Sequence, residues 1–284
     1  MRSIKKIHTA HYAPISDLIT YSPLPSRSLD QVDPFLFLNH HGPQKYRPNN
    51  NGLPFGPHPH RGMETVTFIL EGDIMHKDSG GHESVINAGG VQWMTAGSGL
   101  IHAEVSSTEF KKNGGDMEIL QLWINLPARL KMTKPAYKGL QKEDIPSISL
   151  DEGKVTLNLI SGEFNGQQGA FETLTDVFMS TVYFQPGGEF TVQVPAERSI
   201  FFYVVHGKLT VNDQDVEALQ LLEFNYNAEE IQVKASEDSV ILFGHATPFD
   251  EPVVAQGPFV MNTQEEIMEA YSDYRAGKFG QWNG

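Results

Sequence analysis

Two short pairs of polar residues constrain this chain more than any other feature of its sequence. The first pair is His58-Pro59-His60, and the second pair is His102-Ala103-Glu104. Within each pair the two possible ligands are two positions apart, and residues i and i+2 of a β-strand point to the same face. Two such strands facing each other would bring three imidazoles and one carboxylate to one point. The spacing therefore predicts a three-nitrogen, one-oxygen site for a first-row transition metal in a β fold.

The segments around these pairs are typical of short strands joined by turns. Residues 65–70 have an alternating pattern of side chains and are rich in β-branched and aromatic residues. Residues 91–94 follow a Gly-Gly turn. Residues 119–124 form an apolar run that ends before a proline. Turn signals recur about every 8–12 residues along the chain, which is typical of an all-β sandwich or barrel.

The second half of the chain repeats the pattern of the first half. Residues 199–207 resemble residues 64–72, and each segment ends at a turn glycine, so the offset is 135 residues. At this offset the two histidines of the first pair fall on Gln193 and Pro195. We therefore expect an internal duplication in which only the first copy keeps its metal ligands.

These patterns divide the chain into four parts. A capping box at Thr263 and Glu266, followed by apolar residues at helical spacing, predicts one helix near the C-terminus. We expect an N-terminal barrel with the metal site at 1–130, a polar connecting segment at 131–150, a second barrel without metal ligands at 151–260, and the C-terminal helix and tail at 261–284.

Composition excludes several classes of function. The chain contains no cysteine, which excludes disulfides, thiolate metal sites and cysteine nucleophiles. Its net charge of −14 argues against direct nucleic-acid binding, which needs a basic surface. We find no apolar run long enough to span a membrane and no hydrophobic segment of a signal peptide, so we expect a cytoplasmic protein without a membrane partner.

The histidines are distributed unevenly along the chain. Five of the 11 histidines lie between His58 and His102, and glycine turns flank both pairs. A single His-x-His pair occurs often by chance, whereas two bracketed pairs favour a metal site. The two intervening histidines, His76 and His82, could line the mouth of the pocket, but we expect them to be ordinary loop residues.

Two longer motifs carry a resemblance to a known family. Residues 56–66, GPHPHRGMETV, and residues 91–104, VQWMTAGSGLIHAE, resemble the two signatures of the pirin family, a branch of the cupin superfamily. Segments 33–38 and 257–263 also resemble family segments. The resemblance implies an all-β bicupin of two tandem antiparallel jelly-roll barrels, with metal only in the first barrel. It also implies that the metal ligands are His58, His60, His102 and Glu104.

Glu64 is a second carboxylate close to the first pair. Many cupins use a glutamate shortly after His-x-His as a metal ligand, and on a regular strand Glu64 would share the face of His58 and His60. The pirin resemblance instead assigns the ligand role to Glu104. Glu64 is then either a hydrogen-bonding residue beside the ligands or a surface carboxylate.

The resemblance also implies an activity, namely quercetin 2,3-dioxygenase, which cleaves a flavonol with O₂ and releases carbon monoxide. The cofactor would be one divalent transition metal, with Fe(II) favoured and Mn, Co, Ni, Cu or Zn also accepted by such ligands. The substrates would be a small aromatic molecule such as quercetin, and O₂. Glu104 would accept the proton of the flavonol hydroxyl.

Two other functions fit the same sequence. Some pirins act as co-regulators, so the metal could switch a surface that binds a protein partner without turnover. A bicupin metalloenzyme could also act on another small enol-type substrate, because cupins host many reactions.

Overall fold

The computed structural model describes residues 1–282, which are mostly β-strands. In chain order, the first elements are β1 (Ile4–Thr9), β2 (His11–Tyr12), β3 (Thr20–Leu24), β4 (Phe35–Tyr46), β5 (Phe55–His60), β6 (Met63–Glu71), β7 (Asp73–Asp78), β8 (Glu83–Asn87), β9 (Val91–Thr95), β10 (Leu100–Val105), α1 (Thr108–Asn113), β11 (Gly115–Asn125), β12 (Ala136–Leu140) and β13 (Ser147–Leu150). The second half contains β14 (Val155–Ser161), β15 (Glu163–Phe164), β16 (Gln167–Gln168), β17 (Phe178–Phe184), β18 (Glu189–Gln193), β19 (Ser199–His206), β20 (Lys208–Val211), β21 (Gln214–Glu217), β22 (Gln220–Phe224), β23 (Glu230–Ala235), β24 (Ser239–Ala246), β25 (Val254–Gln256), β26 (Phe259–Met261) and α2 (Gln264–Arg275). Short 3₁₀ turns lie at Ala128–Leu130, Lys142–Asp144 and Asp151–Gly153.

The chain forms two compact units. The first unit contains Tyr12–Tyr21, Leu36–Glu143 and the residues from Phe249 onward, and the second contains Met1–His11, Ser22–Phe35 and Asp144–Pro248. These bounds differ from the sequence-based prediction, which divided the chain at residues 130 and 150. The reason is that β1 pairs with β22 of the second unit, while the C-terminal residues return to the first.

Each unit is built on one seven-stranded and one four-stranded sheet. The orders are β12-β9-β6-β11-β4-β3-β2 with β5-β10-β7-β8, and β1-β22-β19-β24-β17-β14-β13 with β18-β23-β20-β21. Neighbouring pairs such as β6 with β11 and β19 with β24 are antiparallel. The two strand orders match element by element, which confirms the all-β bicupin fold, although the sheets are open rather than closed barrels.

The sheet order corrects the residue offset between the two copies. The counterpart of β5 is β18, whose buried side chains are Phe190 and Val192 rather than Gln193 and Pro195. A fixed offset fails here because only two residues join β5 to β6, whereas a longer loop joins β18 to β19. Apolar side chains thus occupy the positions in the second unit that correspond to the histidines of β5.

The segment 131–150, which we expected to be a polar connection, contains two strands. Strand β12 pairs with β9, with Tyr137 opposite Met94, and β13 pairs with β14. Each of them therefore extends a seven-stranded sheet at its edge.

The C-terminal helix α2 begins as the sequence predicts. Thr263 is its N-cap and forms the capping box with Glu266. Ile267 and Ala270 are fully buried against Phe259 in a small apolar cluster of the first unit. No helix within residues 1–282 has the length and apolar character needed to cross a membrane.

Candidate metal centre

Strands β5 and β10 bring the two sequence pairs together. The strands are antiparallel, and His58 lies directly opposite His102 in their register. One ring nitrogen from each of His58, His60 and His102 lies within 4.8 Å of the other two. The Nε2 atoms of His58 and His102 are 3.0 Å apart. We refer to these three residues as the histidine cluster.

Backbone carbonyls fix the tautomers of the first two histidines. His58 Nδ1 donates to the carbonyl oxygen of Gly56 at 2.7 Å, and His60 Nδ1 donates to that of Pro258 at 3.2 Å. Because a carbonyl oxygen accepts but cannot donate, each Nδ1 carries the proton and each Nε2 keeps its lone pair. This is the arrangement in which a histidine binds a metal through Nε2.

The surroundings keep two imidazoles of the cluster, those of His60 and His102, uncharged. Burial, reinforced by His58, lowers the pKa of His60 to about 3. Burial and the neighbouring imidazoles hold the pKa of His102 well below its usual range. At neutral pH both rings are therefore neutral and able to donate a lone pair.

The donor set fits a transition-metal ion. Two imidazole nitrogens bound at about 2.1 Å to one ion, at a right angle, lie about 3.0 Å apart. The separation between His58 Nε2 and His102 Nε2 has this value. Three imidazoles without any thiolate suit Fe, Mn, Co, Ni, Cu or Zn.

Glu104 lies beside the cluster but has other partners. Its Oε2 is 3.9 Å from His102 Nε2, and the side chain is almost completely buried. Thr67 Oγ1 donates to Oε1 at 3.0 Å, Gln92 Nε2 donates to the same oxygen, and Gln121 Nε2 donates to Oε2 at 2.5 Å. These three donors hold the carboxyl group in a fixed orientation.

Tyr137 extends this network in a way that the sequence did not suggest. Its hydroxyl donates to Gln92 Oε1 at 3.1 Å and lies 2.6 Å from Ser84 Oγ. The bond to Oε1 turns the amide NH₂ of Gln92 toward Glu104. Tyr137 was not expected near the site because its strand, β12, falls within the segment that reads as a connection.

His76 also lies close to the cluster. Its ring stacks on Tyr137 with centroids 3.8 Å apart, and its centroid is 5.5 Å from that of His102. It is fully buried in β7 rather than exposed in a loop, because that strand pairs with β10. The sequence signal was the two-residue spacing between His76 and Asp78, another same-face pair.

Asp78 links His76 to the more exposed His82. Both imidazoles lie within hydrogen-bonding distance of its Oδ2, at 3.1 Å for His76 Nε2 and 3.0 Å for His82 Nδ1. Burial raises the pKa of Asp78, but the hydrogen bonds and charges of the two histidines outweigh it and bring the pKa down to about 2. Asp78 is therefore an ionised acceptor that orients the ring of His76.

The C-terminal residues hold the segment that follows His60. Arg61 donates through Nε to the carbonyl oxygen of Ser98 at 2.8 Å and through Nη2 to Asp273 Oδ2 at 2.9 Å. Lys131 is buried and donates to the carbonyl oxygens of Gly62 and Val260 at 2.9 and 3.1 Å. These bonds tie helix α2 and strand β26 to the junction between β5 and β6.

Glu64 points away from this site. It lies on β6 three positions before Thr67, so the two side chains project from opposite faces of the sheet. Its Oε1 accepts from Thr95 Oγ1 at 2.6 Å. Burial raises the pKa of Glu64 to about 7, although Thr95 and Trp93 donate hydrogen bonds to it. A ligand role for Glu64 does not agree with this geometry.

Known proteins with similar sequences include pirins. Residues 18–124 match the pirin family model, and residues 179–280 match the model of the pirin C-terminal cupin domain. Pirin from Homo sapiens is 37% identical over 262 residues, which cover 89% of this chain and 84% of that protein. A pirin-like protein from Caulobacter vibrioides is 38% identical over 251 residues, which cover 87% of each chain.

Solved structures share the fold. The crystal structure of quercetin 2,3-dioxygenase from Acinetobacter baumannii superposes with a TM-score of 0.92 at 36% identity and covers 99% of both chains. A bacterial pirin from Escherichia coli, solved in complex with nickel(II), superposes with a TM-score of 0.68 at 20% identity. The comparison covers 86% of this chain and 99% of the Escherichia coli chain, and at this identity it shows the common fold.

Proposed function

The chain belongs to the pirin family, and from this membership and the histidine cluster we propose that it is a metal-dependent dioxygenase of the quercetin 2,3-dioxygenase type. The reaction is the cleavage of a flavonol by O₂, with release of carbon monoxide. The 36% identity to a solved quercetin 2,3-dioxygenase over almost the full chain supports this choice of reaction.

The proposed ligands are His58, His60, His102 and Glu104. A divalent ion bound there, with Fe(II) favoured, would act as a Lewis acid on the flavonol 3-oxygen and allow O₂ to react with the substrate. The histidines contribute neutral Nε2 donors, so the bound ion keeps positive charge that stabilises an anionic oxygen. The carboxylate reduces that charge by one unit.

Glu104 has a second role in this proposal, as the acceptor of the proton from the flavonol 3-hydroxyl. Thr67, Gln92 and Gln121 orient its oxygens toward the side of His102. These hydrogen bonds hold the carboxylate in position to accept a proton. Burial of the carboxylate and of His102 limits the access of water to the reacting oxygen.

The histidine cluster is the main support for the proposal. Three imidazoles converge within 4.8 Å in the unit that contains both family signatures. A buried group of this kind without a cation would leave lone pairs facing each other, which costs free energy. We infer that the cluster exists to bind an ion on which chemistry takes place.

The test is turnover by protein purified without oxygen and reloaded with Fe(II). We expect O₂ uptake, loss of the quercetin absorbance and release of carbon monoxide in equal amounts. His60→Ala should lose about 100-fold or more in rate, because it removes a ligand. His11→Ala removes an exposed imidazole from β2 and should keep the full rate.

Two results would reject the proposal. One is a His60→Ala protein that consumes quercetin as fast as the wild type. The other is a wild-type protein that retains its metal and forms metal-dependent complexes with a protein partner, yet consumes neither quercetin nor O₂. The second result would favour the co-regulator function.

A further inference from the structure

The second unit contains an aromatic pocket that the proposed reaction does not use. The pocket has a volume of about 490 Å³ and is lined by residues of β15, β17, β18 and β24. Phe164, Phe178, Phe190 and His245 form its aromatic surface. Pockets of about 300–1,000 Å³ are of the size that binds small organic ligands.

The rings of the pocket are arranged around His245. The imidazole stacks on Phe178 with centroids 4.7 Å apart and an interplanar angle of 3°. The ring of Phe164 lies 6.4 Å from that of Phe178 and 6.2 Å from that of Phe190. Phe164 belongs to the small hairpin of β15 and β16 and is half-buried, whereas Asn165 at the turn is exposed. The hairpin thus covers the pocket with one aromatic side chain.

Arg198 determines which ring nitrogen of His245 can donate a hydrogen bond. Its Nε donates to His245 Nδ1 at 2.8 Å, so Nδ1 is an acceptor and the ring proton lies on Nε2. Asp176 fixes the guanidinium through an ion pair of 2.6 Å. Burial, followed by the charge of Arg198, lowers the pKa of His245 to about 3, so the ring is neutral. Within residues 1–282, no protein acceptor binds Nε2–H.

Charge at the pocket rim restricts the class of ligand that can bind. Glu163 and Glu189 both line the pocket, and Lys234 neutralises Glu189 through an ion pair of 2.7 Å. The carboxylate of Glu163 has a neutral partner, Gln168. The rim therefore disfavours an anion, while the stacked rings favour a flat apolar molecule.

We propose that this pocket binds an uncharged planar aromatic molecule whose carbonyl oxygen accepts the hydrogen bond from His245 Nε2. The molecule packs against the aromatic surface that Phe164, Phe178 and Phe190 form beside His245. The site is independent of metal, because none of its ring-stacking contacts requires an ion. It therefore does not depend on the proposed dioxygenase activity.

Calorimetric titration of the metal-free full chain with chromone tests the proposal. Chromone is a bicyclic aromatic ketone without hydroxyl groups, so it lacks the 3-oxygen that the metal centre would bind. We expect one binding site per chain with a Kd of about 100 μM or lower. Naphthalene, of similar shape but without an acceptor, should bind about tenfold more weakly.

Variants locate the binding site. Phe164→Ala removes the covering ring from a surface hairpin, and His245→Phe keeps the stacking but removes the donor, so each should weaken chromone binding about fivefold or more. Leu174→Ala is the control, because Leu174 is an exposed apolar residue of the same unit that does not line the pocket. His60→Ala, in the other unit, should also bind chromone normally. Circular dichroism verifies that each variant is folded.

Three results would overturn the proposal. They are the absence of saturable binding up to about 1 mM chromone, equal affinity of the wild type and both pocket variants, and loss of binding in His60→Ala. The last result would place the ligand at the metal centre instead. A quercetinase assay on the same preparations reports separately on the proposed reaction.

Discussion

Glu104 illustrates how neighbouring side chains define a functional residue. The two-residue spacing from His102 places the carboxylate near the cluster, but its orientation depends on Thr67, Gln92 and Gln121. These donors come from three other strands, and the amide of Gln92 is itself oriented by Tyr137. The closeness of Glu104 to His102 was therefore predictable from local sequence, whereas the groups that orient the carboxylate were not.

Removing one donor to Glu104 should weaken metal binding without unfolding the protein. Thr67→Val keeps the shape of the side chain and deletes the hydroxyl. We expect a loss of about 1 kcal/mol in the free energy of unfolding and about tenfold in metal affinity, because the carboxylate gains rotational freedom. The control is Thr181→Val, a buried threonine of the second unit. Metal titration showing equal affinity for Thr67→Val and wild type would contradict this role of Thr67.

Glu64 should make stability depend on pH. Its pKa is about 7 in the folded protein against 4.5 for the free side chain, so the folded state holds the proton more tightly. Stability contributed by this group is therefore lost as pH rises through this range. Glu64→Gln has no titrating group at this position. Its free energy of unfolding relative to wild type should therefore increase by about 2 kcal/mol as pH rises from about 5 to about 8.

Urea unfolding measures this difference. Trp93, Trp123 and Trp282 all lie in the first unit, so tryptophan fluorescence reports on the unit that contains Glu64. If the stabilities of Glu64→Gln and wild type change in parallel with pH, the carboxyl group does not titrate in this window.

Among the elements, the junction between β5 and β6 has little conformational freedom. Gly62 adopts a φ of +84°, and a Cβ atom there would overlap the carbonyl oxygen of Val260. Only glycine combines that conformation with so close an approach. The glycines that flank the sequence pairs were expected to tighten turns, and at Gly62 the close contact comes from the distant strand β26.

Gly62→Ala should therefore destabilise the first unit by about 2 kcal/mol or more and reduce its metal content. Gly56→Ala is a matched control at the other end of β5, because φ there is not in the left-handed region and no atom lies within 4 Å of the added Cβ. Thermal unfolding and metal analysis of both proteins measure the effect. Similar values for the two variants would show that the junction tolerates a side chain.

Helix α2 should affect the metal centre through Arg61. Asp273→Asn leaves the buried guanidinium without its counter-charge, so we expect a lower Tm and faster loss of metal from the first unit. Glu269→Gln changes the same charge on an exposed position of the same helix and should have little effect. Indistinguishable Tm values and metal dissociation rates for the two variants would mean that the ion pair does not support the site.

At the scale of the whole molecule, the duplicated fold and the family were predictable from sequence. Strand periodicity, turn spacing and two specific motifs are local signals, and the pirin family and bicupin fold are both confirmed. The exchange of terminal segments was not predictable, because the pairing of β1 with β22 joins residues more than 200 positions apart. The position of Tyr137 near the site was not predictable for the same reason, because it depends on the pairing of β12 at the edge of the sheet.

The second unit has the same fold but apolar side chains in the strand that corresponds to β5. Phe190 and Val192 occupy the buried positions of β18, where β5 carries histidines, and they join the apolar core of this unit. The aromatic pocket lies next to that core. In our proposals, the first unit carries the metal chemistry and the second unit binds an uncharged aromatic ligand.

The most direct test of the account is the metal content of the anaerobically purified chain after reconstitution with Fe(II). We predict close to one ion per chain for the wild type and for His11→Ala, and less than about a tenth of that for His60→Ala. Elemental analysis of the desalted proteins gives these numbers. A wild type that binds no ion, or a His60→Ala variant that binds as much as the wild type, would contradict the assignment of the histidine cluster as a metal centre.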